Sequence, residues 1–249
     1  MATASPGATA KVISCRIVSG PLPLCTTLPR DSTSIMVSML RILLASMLMF
    51  ATAAPAAEKI GAGGTAQTIL VFGDSLSAGH GLANGQAWPA LLDKRLQGEG
   101  LHYAVANASI SGETSAGGRS RLPVALNRFK PGVVVIALGA NDGLRGLPAT
   151  QLRANLVAMV RAAKAKKARV LLVGMRLPPN YGSRYTEEFA AVFTVVAKQE
   201  KVPLLPFLLE PIANERSNFQ PDGLHPVAAA QPKILDHVWP KLELLLRQR

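Results

Sequence analysis

Short apolar runs alternating with longer amphipathic stretches predict an α/β fold, a three-layer α/β/α sandwich built on a parallel sheet. Two further observations support this. Val133-Val134-Val135-Ile136 is apolar at every position, as a strand must be when helices cover both faces of its sheet. Gly100, Gly132 and Pro203 stand where the chain has to return towards the sheet.

The elements follow in order. After the Gly-rich spacer at 61–64, the first strand is expected at Thr68–Phe72. Apolar residues at helical spacing predict a helix over Trp88–Gln97, followed by strands at Tyr103–Ala106 and Val133–Leu138. A helix over Leu152–Lys166 leads to a strand at Val170–Val173, and one over Tyr185–Lys198 leads to a short strand at Val202–Leu205. A helix over Val227–Leu246 closes the pattern, and neither an internal repeat nor a change of composition marks a second domain.

Composition narrows the class. The chain has 249 residues, 49% hydrophobic and 17% charged, which is the balance of a folded globule and excludes a disordered or peptide-sized protein. Lys and Arg number 27 against 15 acids, a formal +12 that suits anionic surroundings without naming one. The basic run Arg161–Arg169 reads as the solvated end of a helix, its cations near the negative C-terminal dipole. Aromatic residues are only 5% and no nucleic-acid motif appears, so no nucleic-acid partner is expected. Cys15 and Cys25 both lie near the start, so neither a disulfide framework nor a Cys-based metal site organises the rest.

Residues Met36–Ala57 have one Arg41, the apolar run Ile42–Ala54 and small residues around Ala54-Pro55-Ala56, the pattern of a cleaved secretory signal. The apolar run is short for a membrane span. Residues 1–35 show no periodic pattern, which points to translation starting at Met36 or Met39. We therefore expect residues 1–56 to be an N-terminal extension plus signal peptide that is removed, and 57–249 to be one domain. The domain would keep 193 residues, a formal +9 and no cysteine. A thiol-free chain suits an oxidising compartment, and a periplasmic or secreted location follows.

Chemistry-bearing residues sit where the predicted strands end. Ser75, in Gly73-Asp74-Ser75-Leu76-Ser77, lies at the carboxyl edge of the first strand, where open α/β sheets build their sites. By itself it reads more readily as a helix cap than as a nucleophile, and Ser77 takes the place of the last glycine of G-x-S-x-G, so the usual nucleophile elbow is not indicated. A serine nucleophile needs a base held by an acceptor. In Pro221-Asp222-Gly223-Leu224-His225-Pro226 a turn can fold the Asp222 carboxylate onto the His225 ring. His237 lies in a predicted helix and reads as a packing or surface residue, while His80 and His102 read as loop residues lacking a nearby carboxylate partner in sequence. Asp222 and His225 as metal ligands would lack any Cys or H-E-x-x-H motif, so no metal is expected. Gly112 after the second strand and Asn141 after the third can offer hydrogen-bond donors to the same edge. Gly112 also reads as a plain turn, and Asn141-Asp142 as the start of a helix.

Taken together and in this order, Gly73-Asp74-Ser75-Leu76-Ser77, Gly112, Gly139-Ala140-Asn141-Asp142 and Asp222-Gly223-Leu224-His225 resemble the four blocks of the SGNH (GDSL-type) hydrolase family. The segments Asn107–Thr114, Asn141–Gly146 and Pro178–Tyr185 are similar to its bacterial periplasmic subgroup of acyl-CoA thioesterases, arylesterases and lysophospholipases. The resemblance implies a flavodoxin-like five-stranded parallel sheet of order 2-1-3-4-5. It implies Ser75 as nucleophile, His225 as base and Asp222 as orienting acid. The Ser75 N–H, the Gly112 N–H and the Asn141 side chain would form the oxyanion hole. It further implies no cofactor, and a small ester, thioester or lysophospholipid substrate cleaved through a covalent acyl-enzyme. Asp142, Gly143, Leu144, Pro178 and Tyr181 are expected to border an acyl groove, with Gly143 and Gly146 making 141–147 a mobile loop. A monomer with peripheral contact to an anionic membrane surface is expected. A carbohydrate O-acetylesterase on the same fold and a non-enzymatic basic binder of anionic envelope surfaces remain the alternatives.

Overall fold

Side chains on each strand alternate between two cores, and this alternation sets the layers. In the computed structural model, residues 66–247 are described, all within the compact unit Ile60–Arg249. The leader and signal peptide expected over residues 1–56 lie outside them. Strands β1 (Gln67–Gly73), β2 (Tyr103–Asn107), β3 (Val133–Ala137), β4 (Arg169–Val173) and β5 (Leu204–Leu205) form one parallel sheet in the order β2-β1-β3-β4-β5. Among the described residues seven α-helices accompany them: α1 (Ser75–Ala78), α2 (Trp88–Gly98), α3 (Ser115–Phe129), α4 (Ala140–Leu144), α5 (Ala149–Ala165), α6 (Ser183–Glu200) and α7 (Gln231–Arg247).

Ile69, Val71, Val133, Val135, Leu171 and Val173 face α2 and α7, where Trp88, Leu92, Ile234 and Val238 complete one core. Leu70, Phe72, Val134, Ile136 and Leu172 face α3, α5 and α6, meeting Leu122, Leu156, Met159, Phe189 and Phe193. Each such side chain, fully buried, contributes roughly 1.5–3 kcal/mol. Gln231, at the start of α7, accepts the otherwise orphaned Trp88 N–H of α2 at 2.9 Å and clips the two helices of one layer together. Across the other layer, Arg161 of α5 pairs with the buried Glu200 of α6 at 2.9 Å, and Lys164 donates to the Glu200 carbonyl at 2.8 Å. Part of the basic run is therefore a structural clip, and the Arg161 guanidinium holds the Glu200 carboxyl below its usual range.

Two details differ from the sequence pattern. Helix α3 carries Gly117, Gly118 and Pro123, residues of low helix propensity, so its periodicity is masked. The tertiary context overrides this: Leu122, Ala125 and Leu126 are buried, and Pro123 sits on the exposed face. Strand β5 is two residues instead of four because Pro203 has no N–H to donate to the ladder. Among the described residues no helix is long and apolar enough to cross a membrane.

Candidate active site

The sheet order reverses between β1 and β3, and the crevice beyond their carboxyl ends is where the singled-out residues converge. At the end of β1 the chain must turn tightly. A Cβ on Gly73 would stand 2.9 Å from both the Ala137 carbonyl oxygen and Ser77 Oγ, so only glycine fits. Asp74 caps α1, its carboxyl accepting the Leu76 N–H at 3.1 Å. The cap is therefore Asp74 and not Ser75, which as the first helical residue keeps its hydroxyl free for other work. Burial of Asp74, at 2% exposure, is what pushes its carboxyl pKa up to about 7.

A consequence for stability follows from the sign of that shift. The folded state prefers protonated Asp74, so this contribution is whole below about pH 3.8 and is lost as pH rises through about 7. Asp74→Asn keeps the capping acceptor and removes the titration. Denaturant unfolding at pH 4.5 and pH 8 should show wild type losing ground to Asp74→Asn by on the order of a few kcal/mol. Parallel pH profiles would contradict the assignment.

The loop before α7 brings the second set of groups. Asp222 Oδ1 accepts the backbone N–H groups of Leu224 (2.8 Å) and His225 (3.0 Å), and Oδ2 lies 2.7 Å from His225 Nδ1. These bonds, led by the one from the His225 ring, hold the Asp222 carboxyl well below the usual carboxylate range. An ionised carboxylate only accepts, so Nδ1 carries the hydrogen and Nε2 presents its lone pair. That lone pair faces Ser75 Oγ at 2.8 Å, joining residues 150 positions apart. The loop is held by Arg216, which donates to the carbonyls of Phe219, Gln220 and Pro221, and by Gln220, whose side-chain amide donates to the carbonyls of His80 and Pro226.

Two further candidate groups, Gly112 and Asn141, follow the ends of β2 and β3. Gly112 adopts φ +77°, a conformation that favours glycine, and nothing lies closer than 4.0 Å to where its Cβ would be. Asn141, second residue of α4, uses one amide hydrogen on the Glu113 carbonyl at 3.0 Å and keeps the other. Arg121 of α3 braces this loop by pairing with Glu113 and donating to the Ala108 carbonyl at 2.7 Å.

Asp142, expected to border a groove, is instead 2% exposed and turned into the protein. Its carboxylate accepts the Ser115 N–H at 2.7 Å and the Ser115 hydroxyl at 2.5 Å, and Asn155 donates to the same hydroxyl at 2.9 Å. It ties the start of α4, which carries Asn141, to the start of α3, just after Gly112. Asp142→Ala would leave two buried Ser115 donors unpaired, at a cost of about 1–3 kcal/mol each. We expect turnover to fall about 10²-fold with KM little changed, the effect of loosening the Gly112 and Asn141 groups expected to serve as oxyanion donors. Steady-state kinetics beside thermal unfolding check this, and an unaltered kcat would show that the two segments hold themselves.

Gly143 is likewise buried, and a Cβ there would stand 2.6 Å from Leu177 and 2.8 Å from Phe189, so close packing explains this glycine. The segment expected to be a mobile loop is helical over its first half. Tyr185 donates to the Leu147 carbonyl at 2.8 Å, and Tyr181 donates to that of Leu144 at 3.2 Å. Tyr181 thus supports the wall from outside, whereas Leu144 and Pro178 do line the cavity. This cavity, about 660 Å³, runs from Ser75, His225 and Asn141 along Met175, Leu177, Phe207, Leu209 and Leu224, with Arg176 and Arg216 also on its lining. An apolar trough ending at a serine hydroxyl, an imidazole lone pair and a side-chain amide has the shape and chemistry to hold an acyl chain with its carbonyl carbon at Ser75.

Sequence reasoning missed the bracing residues Arg121, Ser115, Asn155, Arg216 and Gln220, because polar residues carry no periodic signal and their partners lie far along the chain. It also set aside His80, whose ring lies tilted against that of His225 with centroids 4.3 Å apart. His237, expected as a packing or surface residue, is partly buried in α7 with Nε2 3.0 Å from the Phe207 carbonyl.

A family model described as GDSL-like lipase/acylhydrolase matches residues 71–231. Esterase TesA of Pseudomonas aeruginosa is 56% identical over 181 residues, 73% of this chain and 90% of that protein. Thioesterase 1/protease 1/lysophospholipase L1 of Escherichia coli K12 is 44% identical over 181 residues, 73% of this chain and 86% of its own. Among solved structures, a crystal structure of TesA superposes with a TM-score of 0.71 at 55% identity, covering 72% of this chain and 99% of that one. The psychrotrophic esterase EstA of Pseudoalteromonas sp., solved with monoethylphosphonate as inhibitor, gives 0.70 at 40% identity, covering 73% and 100%.

Proposed function

This chain belongs to the GDSL-like lipase/acylhydrolase family, the SGNH hydrolases, and hydrolyses ester bonds; from that premise we propose that it cleaves acyl esters and thioesters through a Ser75-His225-Asp222 triad and a covalent acyl-enzyme. The observation that carries the reading is the unbroken line of contacts from Ser75 Oγ to His225 Nε2 (2.8 Å) and from His225 Nδ1 to Asp222 Oδ2 (2.7 Å). Substrate binds with its acyl chain in the apolar trough and its carbonyl carbon against Ser75. His225 takes the hydroxyl proton as Oγ attacks, and Asp222 stabilises the imidazolium that forms. The Ser75 and Gly112 N–H groups and the free amide hydrogen of Asn141 receive the developing oxyanion. His225 returns its proton to the leaving alcohol or thiol, then activates a water that frees the acid and restores Ser75. No step calls for a cofactor.

Relatives named esterase, thioesterase and lysophospholipase, together with the trough, favour medium or long acyl groups over a two-carbon acetyl group. The test is a panel of p-nitrophenyl esters, acyl thioesters and lysophospholipids assayed with wild type and Ser75→Ala. A strict acetyl optimum would favour the carbohydrate O-acetylesterase reading instead. We further propose that the signal over residues 36–56 sends the domain out of the cytoplasm. N-terminal sequencing of exported protein should find cleavage after Ala56 or Ala57.

A further inference from the structure

Two imidazoles, not one, stand at the proposed base. His80 follows α1 by two residues, and its ring lies 4.3 Å from that of His225, the planes 40° apart. His80 is exposed, and among the described residues neither of its ring nitrogens makes a hydrogen bond. Only its backbone is engaged, the N–H donating to the Ser75 carbonyl and the C=O accepting from Gln220. One donor atom from each of His80, His225 and Asp222 lies within 4.8 Å of the other two.

We propose that His80, His225 and Asp222 form a site for a borderline divalent cation, Zn²⁺ or Cu²⁺, whose binding takes His225 out of catalysis. The inhibitory part of this inference rests on the functional reading above; the binding part does not. Two neutral imidazoles and one carboxylate, with water completing the shell, make an open tetrahedral donor set suited to such ions. With metal–ligand bonds of about 2.0–2.1 Å, ligand atoms stand roughly 3.4 Å apart, so the three donors need to close by no more than about 1.4 Å. His80 and Asp222 are exposed and have room for that movement. Gln220 already fastens the His80 backbone to the loop that carries Asp222 and His225, so the ligands share one anchorage.

The charge of the site selects among cations. Asp222 brings a single negative charge, and the Arg216 guanidinium lies 3.9 Å from where a Cβ on neighbouring Gly223 would be. Mg²⁺ and Ca²⁺, which need several oxygen ligands, find one carboxylate and an adverse charge. A cation on His225 Nδ1 takes over the Asp222 carboxylate and leaves the neutral ring with its one hydrogen on Nε2, where the lone pair stood. A cation on Nε2 displaces the Ser75 hydroxyl. Either way the lone pair that would accept the serine proton is lost.

His80→Phe keeps a ring against His225 and removes both nitrogens. Metal-depleted wild type and His80→Phe are titrated with ZnCl₂, following p-nitrophenyl ester hydrolysis and, separately, binding by calorimetry. We expect wild type to bind Zn²⁺ and lose activity reversibly on addition of EDTA, with MgCl₂ inert. Metal-free His80→Phe should hydrolyse within about twofold of wild type and bind Zn²⁺ at least about tenfold more weakly. Equal binding and inhibition in the two proteins, or no binding to wild type at about 1 mM Zn²⁺, overturns the proposal. If wild type binds Zn²⁺ through His80 yet cleaves no ester, the functional reading falls and the site stands. Ser75-dependent hydrolysis indifferent to Zn²⁺ has the opposite meaning.

Discussion

Ser75→Ala is expected to lower kcat on the order of 10⁴–10⁶-fold while leaving substrate binding and folding near wild type. The size follows from what is removed. In the proposed mechanism alanine has no atom to attack the carbonyl, and because a Ser-His-Asp triad works as a unit, His225 and Asp222 would have nothing left to activate. The apolar trough and the oxyanion donors remain, which preserves affinity and a small residual rate. The substitution deletes one half-buried hydroxyl at the start of a four-residue helix capped by its neighbour Asp74, so the fold has little to lose. Steady-state kinetics on a p-nitrophenyl ester, with binding of the non-hydrolysed substrate measured on the variant, reads both quantities. Retention of more than about a tenth of wild-type turnover would end the assignment of Ser75 as nucleophile, and with it the acyl-enzyme.

Asp222→Asn should reduce kcat about 10⁴-fold through a different cause. The loop survives, because the amide oxygen of Asn can still accept the Leu224 and His225 N–H groups. What changes is the partner of the ring. An Asn NH₂ facing Nδ1 donates, so the imidazole must carry its hydrogen on Nε2, and that nitrogen can no longer receive the Ser75 proton. Asp222→Ala should cost stability as well, since it strands two backbone donors. The pH profile gives an independent check. The native Asp222 carboxyl is held below its usual range, so its contribution to stability is present above about pH 3.8 and is lost only as pH falls further, through the depressed folded value. An acid limb of the rate profile above about pH 4 therefore belongs to another group. A normal rate in Asp222→Asn would show that His225 is oriented without this carboxylate.

The legible part of the site was written in short segments. Asp222 and His225 lie three residues apart in a turn forced by Pro221 and Gly223, so their pairing is local. Ser75, Gly112 and Asn141 each follow a strand whose apolar run announces it, and parallel connectivity brings successive strand ends to one edge. The bracing contacts were not legible. Arg121 with Glu113, Ser115 with Asp142 and Asn155, and Gln220 with the His80 carbonyl depend on how neighbouring segments pack. Asp142 shows the difference most clearly. Its place beside Asn141 suggested a groove, but a helical turn points adjacent side chains in different directions, so Asn141 faces the crevice and Asp142 the interior.

By itself the sequence determined the α/β class, the strand ends that bear chemistry and the turn that pairs Asp222 with His225, because periodicity, Gly and Pro act over a few residues. Tertiary structure alone decided which polar groups meet across the fold: Ser75 with His225 over 150 positions, His80 against that same ring, and helix α3 despite its glycines and proline. Those outcomes come from packing two cores on a common sheet, where burial outweighs local propensity and sets distances that no stretch of chain encodes alone.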